Sequence, residues 1–343
     1  MIIFRADGNK LIGAGHIMRC LSIANAAKET GKECKFFLAS DDFEKIIKEY
    51  GHQAEVLNSD YSVPDPDEII SRLDSDKPSA VIVDSYFITE DYMKTVHKRC
   101  SESGCKLVYI DDRCNLACSC DAVINYNISA DVDEYRNLYE GKQEPVFLTG
   151  TAYTPLRKEF RNRDPRVVSE KGRNIFVSTG GADPEHFTTV LVEEAKNYKD
   201  YSFHFVLGMM NPDKEIIKKS VSDYSNIDIH ENVTEMGKLM RSCDVAISAS
   251  GSTLYELCAI QTPAITYILA DNQIPLAQTF DKKGIIKNLG DIRITGNHTL
   301  AGTLINEAVK LAGNYDERVR IANAMASLVD GNGAGRIIEG ILG

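Results

Sequence analysis

No segment approaches the roughly 18 consecutive apolar residues that a membrane-spanning helix needs, and no cationic stretch precedes the first apolar run, which begins at Met1. Neither membrane insertion nor a secretory leader is therefore expected, and the expected compartment is the cytoplasm. Positive charge is scarce as well: 39 Lys and Arg stand against 50 Asp and Glu, a formal net charge of -11. Such a balance argues against general binding of nucleic acid or an acidic membrane, so any anion must be held locally. Nine cysteines without regular spacing exclude a secreted disulfide framework and favour reduced thiols. Cys114, Cys118 and Cys120 cluster, yet they lack a paired Cys-x-x-Cys knuckle and a nearby histidine. Partly buried free thiols are a better reading than structural zinc. No residue-level repeat or low-complexity tract is visible.

What is present is an ordinary globular composition, 43% hydrophobic and 26% charged over 343 residues, a length that suits two domains of about 150 residues each. In the first half, continuous apolar runs at 1–6, 35–39, 80–84 and 107–111 alternate with helical patterns such as 43–50 and 90–103. Continuous rather than alternating strands imply a parallel sheet covered on both faces by helices. Short pieces at 121–125 and 146–149 extend it. Between 151 and 173 the apolar period fades, Pro155 and Pro165 appear, and Arg157, Lys158, Arg161, Arg163 and Arg166 accumulate. The expected domains are accordingly 1–152 and 153–343. Buried strands restart at 174–178 and recur at 203–207, 227–230, 245–248 and 264–268. The last helices, around a glycine-rich turn at 331–335, are candidates to pack back on the first domain. The expected fold is α/β, two Rossmann-like doubly wound parallel-sheet domains facing a cleft, with function in the loops at the carboxyl ends of the strands.

One such loop stands out. Gly13-Ala14-Gly15-His16 places a histidine where a glycine turn gives way to a helix, whose apolar positions Ile17, Leu21, Ala24 and Ala27 recur before Gly31 stops it. Glycine lets a ligand approach closely, and the unpaired amides and dipole of the new helix favour negative charge. The third glycine and the ribose-binding acid of a dinucleotide fingerprint are missing, so no such cofactor is expected. The site suits an anionic substrate instead, with Arg5, Asp7, Gly13, Gly15 and Arg19 as candidate contacts around His16. The bland alternative is a histidine that merely ends a helix.

Two further strand-to-helix turns carry hydroxyls and glycines. Ser178-Thr179-Gly180-Gly181-Ala182-Asp183 can present amides to a diphosphate, with Asp183 or a neighbour as a helix cap. Ser250-Gly251-Ser252 repeats the arrangement, and Glu256 on the next helix can accept both hydroxyl hydrogens of a ribose, or simply cap its own helix. Together they suggest a nucleotide. Tyr86 and Asn272 also lie just past strands, where an aromatic can pack a loop and an asparagine can stabilise a turn. Asp111 and Asp112 point to opposite faces of a strand end, so one is expected to cap the following turn and a metal site is not expected.

These motifs, in order Phe4-Arg5-Ala6-Asp7 with Gly13 to Arg19, Asp84-Ser85-Tyr86, Tyr109-Ile110-Asp111-Asp112, Thr179 to Asp183 and Ser248-Ala249-Ser250 ahead of Glu256, resemble the UDP-sugar hydrolases of pseudaminic acid biosynthesis. That family, the UDP-2,4-diacetamido-2,4,6-trideoxy-β-L-altropyranose hydrolases, is related to the lipid II-forming N-acetylglucosaminyltransferases and has a GT-B glycosyltransferase fold. The resemblance implies removal of UDP by water with inversion at the anomeric carbon, without metal or cofactor. It implies His16 as the base, Tyr86 and Asn272 at substrate or water, and Glu256 on the ribose, with Gln273 in the same Asp-Asn-Gln motif. The cysteine cluster and the tail beyond about Asp291 depart from the family pattern.

The chemistry is economical. UDP leaves readily once its developing charge is neutralised, which amides around Gly180, Gly181, Ser250 and Gly251 can do. What remains is a base for water, and a neutral imidazole, oriented by Asp7 or Tyr86, suffices. A glycosyltransferase on the same fold, and a silent nucleotide-sugar binding protein, are the rival readings.

Overall fold

The apolar runs fold as the parallel strands that their composition implies. The computed structural model describes residues 1–9, 13–161 and 164–343; residues 10–12 of the glycine-turn segment and Arg163 of the basic stretch lie outside the described residues. The chain divides into two units, Met1–Lys158 with Gly331–Gly343, and Glu159–Asp330.

Among the described residues the first unit holds seven strands: β1 (Ile2–Ala6), β2 (Cys34–Leu38), β3 (Gln53–Val56), β4 (Ala80–Asp84), β5 (Lys106–Ile110), β6 (Ala122–Asn125) and β7 (Val146–Thr149). Helices α1 (Gly15–Glu29), α2 (Glu44–Glu49), α3 (Pro66–Asp76), α4 (Glu90–Glu102) and α5 (Val132–Leu138) connect them. Every pairing is parallel, in the order β3-β2-β1-β4-β5-β6-β7. β1 and β4 are buried at every residue, as strands sandwiched between helical layers must be. The order reverses between β1 and β4, and the crevice above the carboxyl ends of such a strand pair is where open α/β sheets hold ligands. The register sets Ala6 beside Asp84 there.

α1 returns from that edge by burying Ile17, Cys20, Leu21, Ile23, Ala24 and Ala27, and each large aliphatic side chain so buried contributes about 1.5–3 kcal/mol. Gly8 makes the return possible, because a Cβ on it would lie 2.5 Å from Cγ1 of Ile17.

Among its described residues the second unit repeats the plan with six strands: β8 (Asn174–Ser178), β9 (Ser202–Val206), β10 (Ile227–His230), β11 (Val245–Ala249), β12 (Ala264–Ile268) and β13 (Lys287–Asp291), all parallel in the order β10-β9-β8-β11-β12-β13. Its helices are α6 (Phe187–Ala195), α7 (Lys214–Ser220), α8 (Met236–Ser242), α9 (Thr253–Ala259), α10 (Ile274–Lys282), α11 (Ile292–Thr295), α12 (Asn297–Gly313) and α13 (Tyr315–Ala326). Phe203, Phe205 and Ile247 of the sheet pack with Leu191 of α6 and Leu304 and Ile305 of α12. The switch point here lies between β8 and β11.

α14 (Gly333–Leu342) belongs to the first unit and packs on α1 and on a 3-10 turn at Thr151–Tyr153. Arg336 Nη1 donates to the Ala152 carbonyl at 2.9 Å and Lys106 Nζ to the Ile341 carbonyl at 2.7 Å. The division therefore falls after Lys158, six residues later than the fading apolar period placed it, while α13 stays with the second unit. All nine cysteines are free thiols; Cys118 and Cys120 are buried, their sulfurs 3.9 Å apart beside the Tyr139 hydroxyl. No helix among the described residues is long and apolar enough to cross a membrane.

Candidate functional site

His16 is the second residue of α1, directly above the β1–β4 switch point. Gly13 turns the chain with φ +84° and its amide donates to the Asn9 carbonyl at 2.8 Å. The N-cap position of α1 is Ala14, which makes no side-chain cap bond. His16 itself is buried, 5% exposed, with Nδ1 2.6 Å from Oδ1 of Asp84, the last residue of β4. One turn along α1, Arg19 reaches the same carboxylate, Nε to Oδ2 at 2.6 Å and Nη2 to Oδ1 at 2.5 Å. Its Nη1 donates to both oxygens of Asp112, at 2.9 and 2.8 Å, and to the Tyr126 hydroxyl at 3.0 Å. Tyr86 closes the cluster: its hydroxyl donates to Asp112 Oδ2 at 2.7 Å, and its ring meets His16 edge to face with centroids 4.5 Å apart. The Arg113 guanidinium lies 4.1 Å from the Tyr86 ring centroid.

The electrostatics fix the proton on the imidazole. Burial pushes the Asp84 carboxyl up, but Arg19 and His16 outweigh it and hold the group well below the usual carboxylate range. An ionised carboxylate only accepts, so Nδ1 of His16 carries a hydrogen and donates it to Asp84, and in the neutral imidazole Nε2 is then the acceptor. Burial, then Asp112, pushes the Tyr86 hydroxyl up, so it remains a neutral phenol. Burial also pushes Tyr126 up to about 12.

Several expected roles change. Neither Asp7 nor Tyr86 hydrogen-bonds the His16 ring; Asp84 does. Arg5 and Asp7, expected around the substrate, form an ion pair with each other inside the first unit, both about 1% exposed. Arg19, also expected to touch substrate, spends its guanidinium on Asp84 and Asp112 and is 9% exposed. Gly15 opens α1 and is exposed. Asp111 caps the following turn, accepting from the Arg113 amide at 2.8 Å and the Tyr135 hydroxyl at 2.7 Å, whereas Asp112 turns toward Arg19.

In the second unit, Gly180 (φ +97°) and Gly181 are exposed at the carboxyl end of β8. Asp183 caps α6, accepting from the amides of Phe187 at 3.0 Å and Thr188 at 2.9 Å. Ser250 differs from its expected role. It is fully buried, its hydroxyl engaged with Thr266 at 2.7 Å and the Tyr267 carbonyl at 2.8 Å, and its amide is bonded to the same carbonyl. The open part of that loop is Gly251 and Ser252, with Glu256 in the first turn of α9. Asn272 is exposed in a 3-10 turn at Asp271–Gln273. Gln273 accepts from the Leu269 amide at 2.9 Å, and its Nε2 would lie 3.9 Å from a Cβ on Gly251, which sets the two loops side by side. Asp84 and Asp112 stand in the sequence motifs without a role at His16 or Tyr86 having been assigned to them, and Tyr126 was not singled out.

Residues 174–324 match the glycosyltransferase family 28 C-terminal domain. The chain is 27% identical over 288 residues to the UDP-2,4-diacetamido-2,4,6-trideoxy-beta-L-altropyranose hydrolase of Campylobacter jejuni, covering 82% of this chain and 97% of that protein. It is 25% identical over 344 residues to the spore coat polysaccharide biosynthesis protein SpsG of Bacillus subtilis, covering 97% and 95%. A third relative, MJ1062 of Methanocaldococcus jannaschii, is 27% identical over 280 residues, 78% of this chain; the chain spans 55% of that relative's length. Among solved structures, MurG of Acinetobacter baumannii superposes with a TM-score of 0.68 at 12% identity, covering 99% of this chain and 98% of that one. Spinosyn rhamnosyltransferase SpnG in complex with thymidine diphosphate gives 0.64 at 13% identity, covering 99% and 100%. The fold is thus the two-domain, parallel-sheet GT-B fold of these glycosyltransferases.

Proposed function

We propose that this protein hydrolyses a UDP-linked diacetamido-trideoxy sugar, releasing UDP and the free sugar by attack of water at the anomeric carbon with inversion, without a metal, as a step of pseudaminic acid biosynthesis. The observation that carries the reading is the His16–Asp84 pair, 2.6 Å apart above the switch point of the first sheet. It is the arrangement of a general base and its orienting carboxylate. Nε2 takes a proton from water as the anomeric centre gains oxocarbenium character, and the Nδ1 hydrogen bond to Asp84 stabilises the imidazolium that forms. The second unit holds UDP: amides of Gly180, Gly181 and Gly251 and the hydroxyl of Ser252 meet the diphosphate, and Glu256 the ribose. Asn272 and Gln273 face the sugar. The hydrolase of Campylobacter jejuni, similar to this chain across 97% of its own length, supports the choice of reaction.

The family 28 match and the likeness to MurG favour a second reading, a glycosyltransferase in which an acceptor hydroxyl takes the place of water. Anomeric NMR of the purified protein with a panel of UDP-diacetamido sugars and no acceptor separates the two. Hydrolysis predicts rapid UDP release with inverted free sugar; slow leakage of UDP that an added acceptor accelerates would favour transfer.

A further inference from the structure

The Tyr86 hydroxyl has one hydrogen, and the structure shows where it goes. Arg19 donates through Nη1 to both oxygens of Asp112, so that carboxylate can only accept, and Tyr86 donates its proton to Oδ2 at 2.7 Å. With the hydrogen committed, what Tyr86 offers anything else is its oxygen lone pairs. Its ring lies edge to face against His16, centroids 4.5 Å apart. His16 too presents a lone pair, at Nε2.

We propose that Asp112 is a positioning residue that fixes the hydrogen-bond polarity of Tyr86, so that Tyr86 and His16 together grip the attacking water by its two hydrogens. This assignment rests on the hydrolytic reading above. One water hydrogen points to Nε2 of His16 and the other to the Tyr86 oxygen, which aims an oxygen lone pair at the sugar. As the new C–O bond forms at the anomeric carbon, the bond to UDP breaks and its electron pair leaves with the diphosphate. The first hydrogen passes to Nε2 as a proton, and the second remains on the product hydroxyl. An acceptor alcohol, with a single hydrogen, cannot satisfy both grips, so the device selects water. Arg19 serves both sides, since it holds Asp84 for His16 and Asp112 for Tyr86.

The test is a cycle of Tyr86→Phe, Asp112→Asn and the double variant, each checked for folding by circular dichroism. Arg19 Nη1 bonds both oxygens of Asp112, so in Asp112→Asn either orientation sets the amide nitrogen against that donor and loosens the hold on the tyrosine hydrogen. Each single change should lower kcat about tenfold, the loss of one hydrogen bond in the transition state, with KM and UDP affinity nearly unmoved. The double variant should be no slower than either single one, because both remove the same interaction. Wild-type kcat in Tyr86→Phe, which keeps its shape whether or not the asparagine variant folds, would overturn the assignment. So would losses that multiply to about a hundredfold in the double variant. His16→Ala is the separating arm: full turnover there removes the hydrolytic reading and this assignment with it, whereas the tyrosine outcomes remove the assignment alone.

Discussion

Asp84 ties the first unit's polar cluster together, since two oxygens on one buried side chain receive His16 Nδ1 and two nitrogens of Arg19. Replacing it with asparagine leaves a buried guanidinium short of a counter-charge, a loss of about 3–5 kcal/mol for a broken buried pair, and thermal unfolding should fall by roughly 10 °C. The pH dependence follows from the depressed carboxyl of Asp84. Its stabilisation is whole above the unfolded value near pH 4 and is lost as pH falls through the folded one. Denaturant titrations should show wild-type stability dropping on acidification below about pH 4, with a shallower drop in Asp84→Asn; parallel curves would contradict the role. His16 stood out as a candidate in the sequence because glycines on both sides of Ala14 mark a turn at the start of a helix. Asp84 did not, because an acid at a strand end reads as a turn cap until the register puts it beside the end of β1. Arg19 and Ser250 misled for a related reason: both types suit an anion, and only burial shows that this arginine and this hydroxyl are satisfied by protein atoms.

At the scale of elements, the parallel strands were readable because sandwiched strands need no alternation, and β1, β4, β11 and β12 are buried throughout. β13 was not, since Lys287-Asn288-Leu289-Gly290-Asp291 is only half-buried and bends at Gly290, φ +127°. The placement of α14 in the first unit, for which the glycine-rich turn at 331–335 had marked the last helices as candidates, turns on a close approach. A Cβ on Gly333 would lie 2.3 Å from the Thr154 carbonyl oxygen and 2.4 Å from its nitrogen. Gly333→Ala must therefore push α14 off the turn at Thr151–Tyr153. It should destabilise the protein by about 1–3 kcal/mol in denaturant titration and raise hydrogen exchange in α14 and α1 while leaving α12 unchanged. An undisturbed α14 would show that the contact is not what seats it.

For the whole molecule, the sequence carried the class of fold and the order of its motifs, and the division of labour follows from which unit each motif occupies. The histidine, its carboxylate and the tyrosine sit in the first unit, while the glycine loops and Glu256 proposed for UDP sit in the second. The two functions should separate by mutation. The direct measurement is UDP affinity by calorimetry alongside turnover of the UDP-diacetamido sugar for wild type and His16→Ala. With His16 as the base, kcat falls by about 10²- to 10⁴-fold while UDP binds as before. Equal loss of binding and turnover in a folded variant, or turnover undiminished, would contradict it.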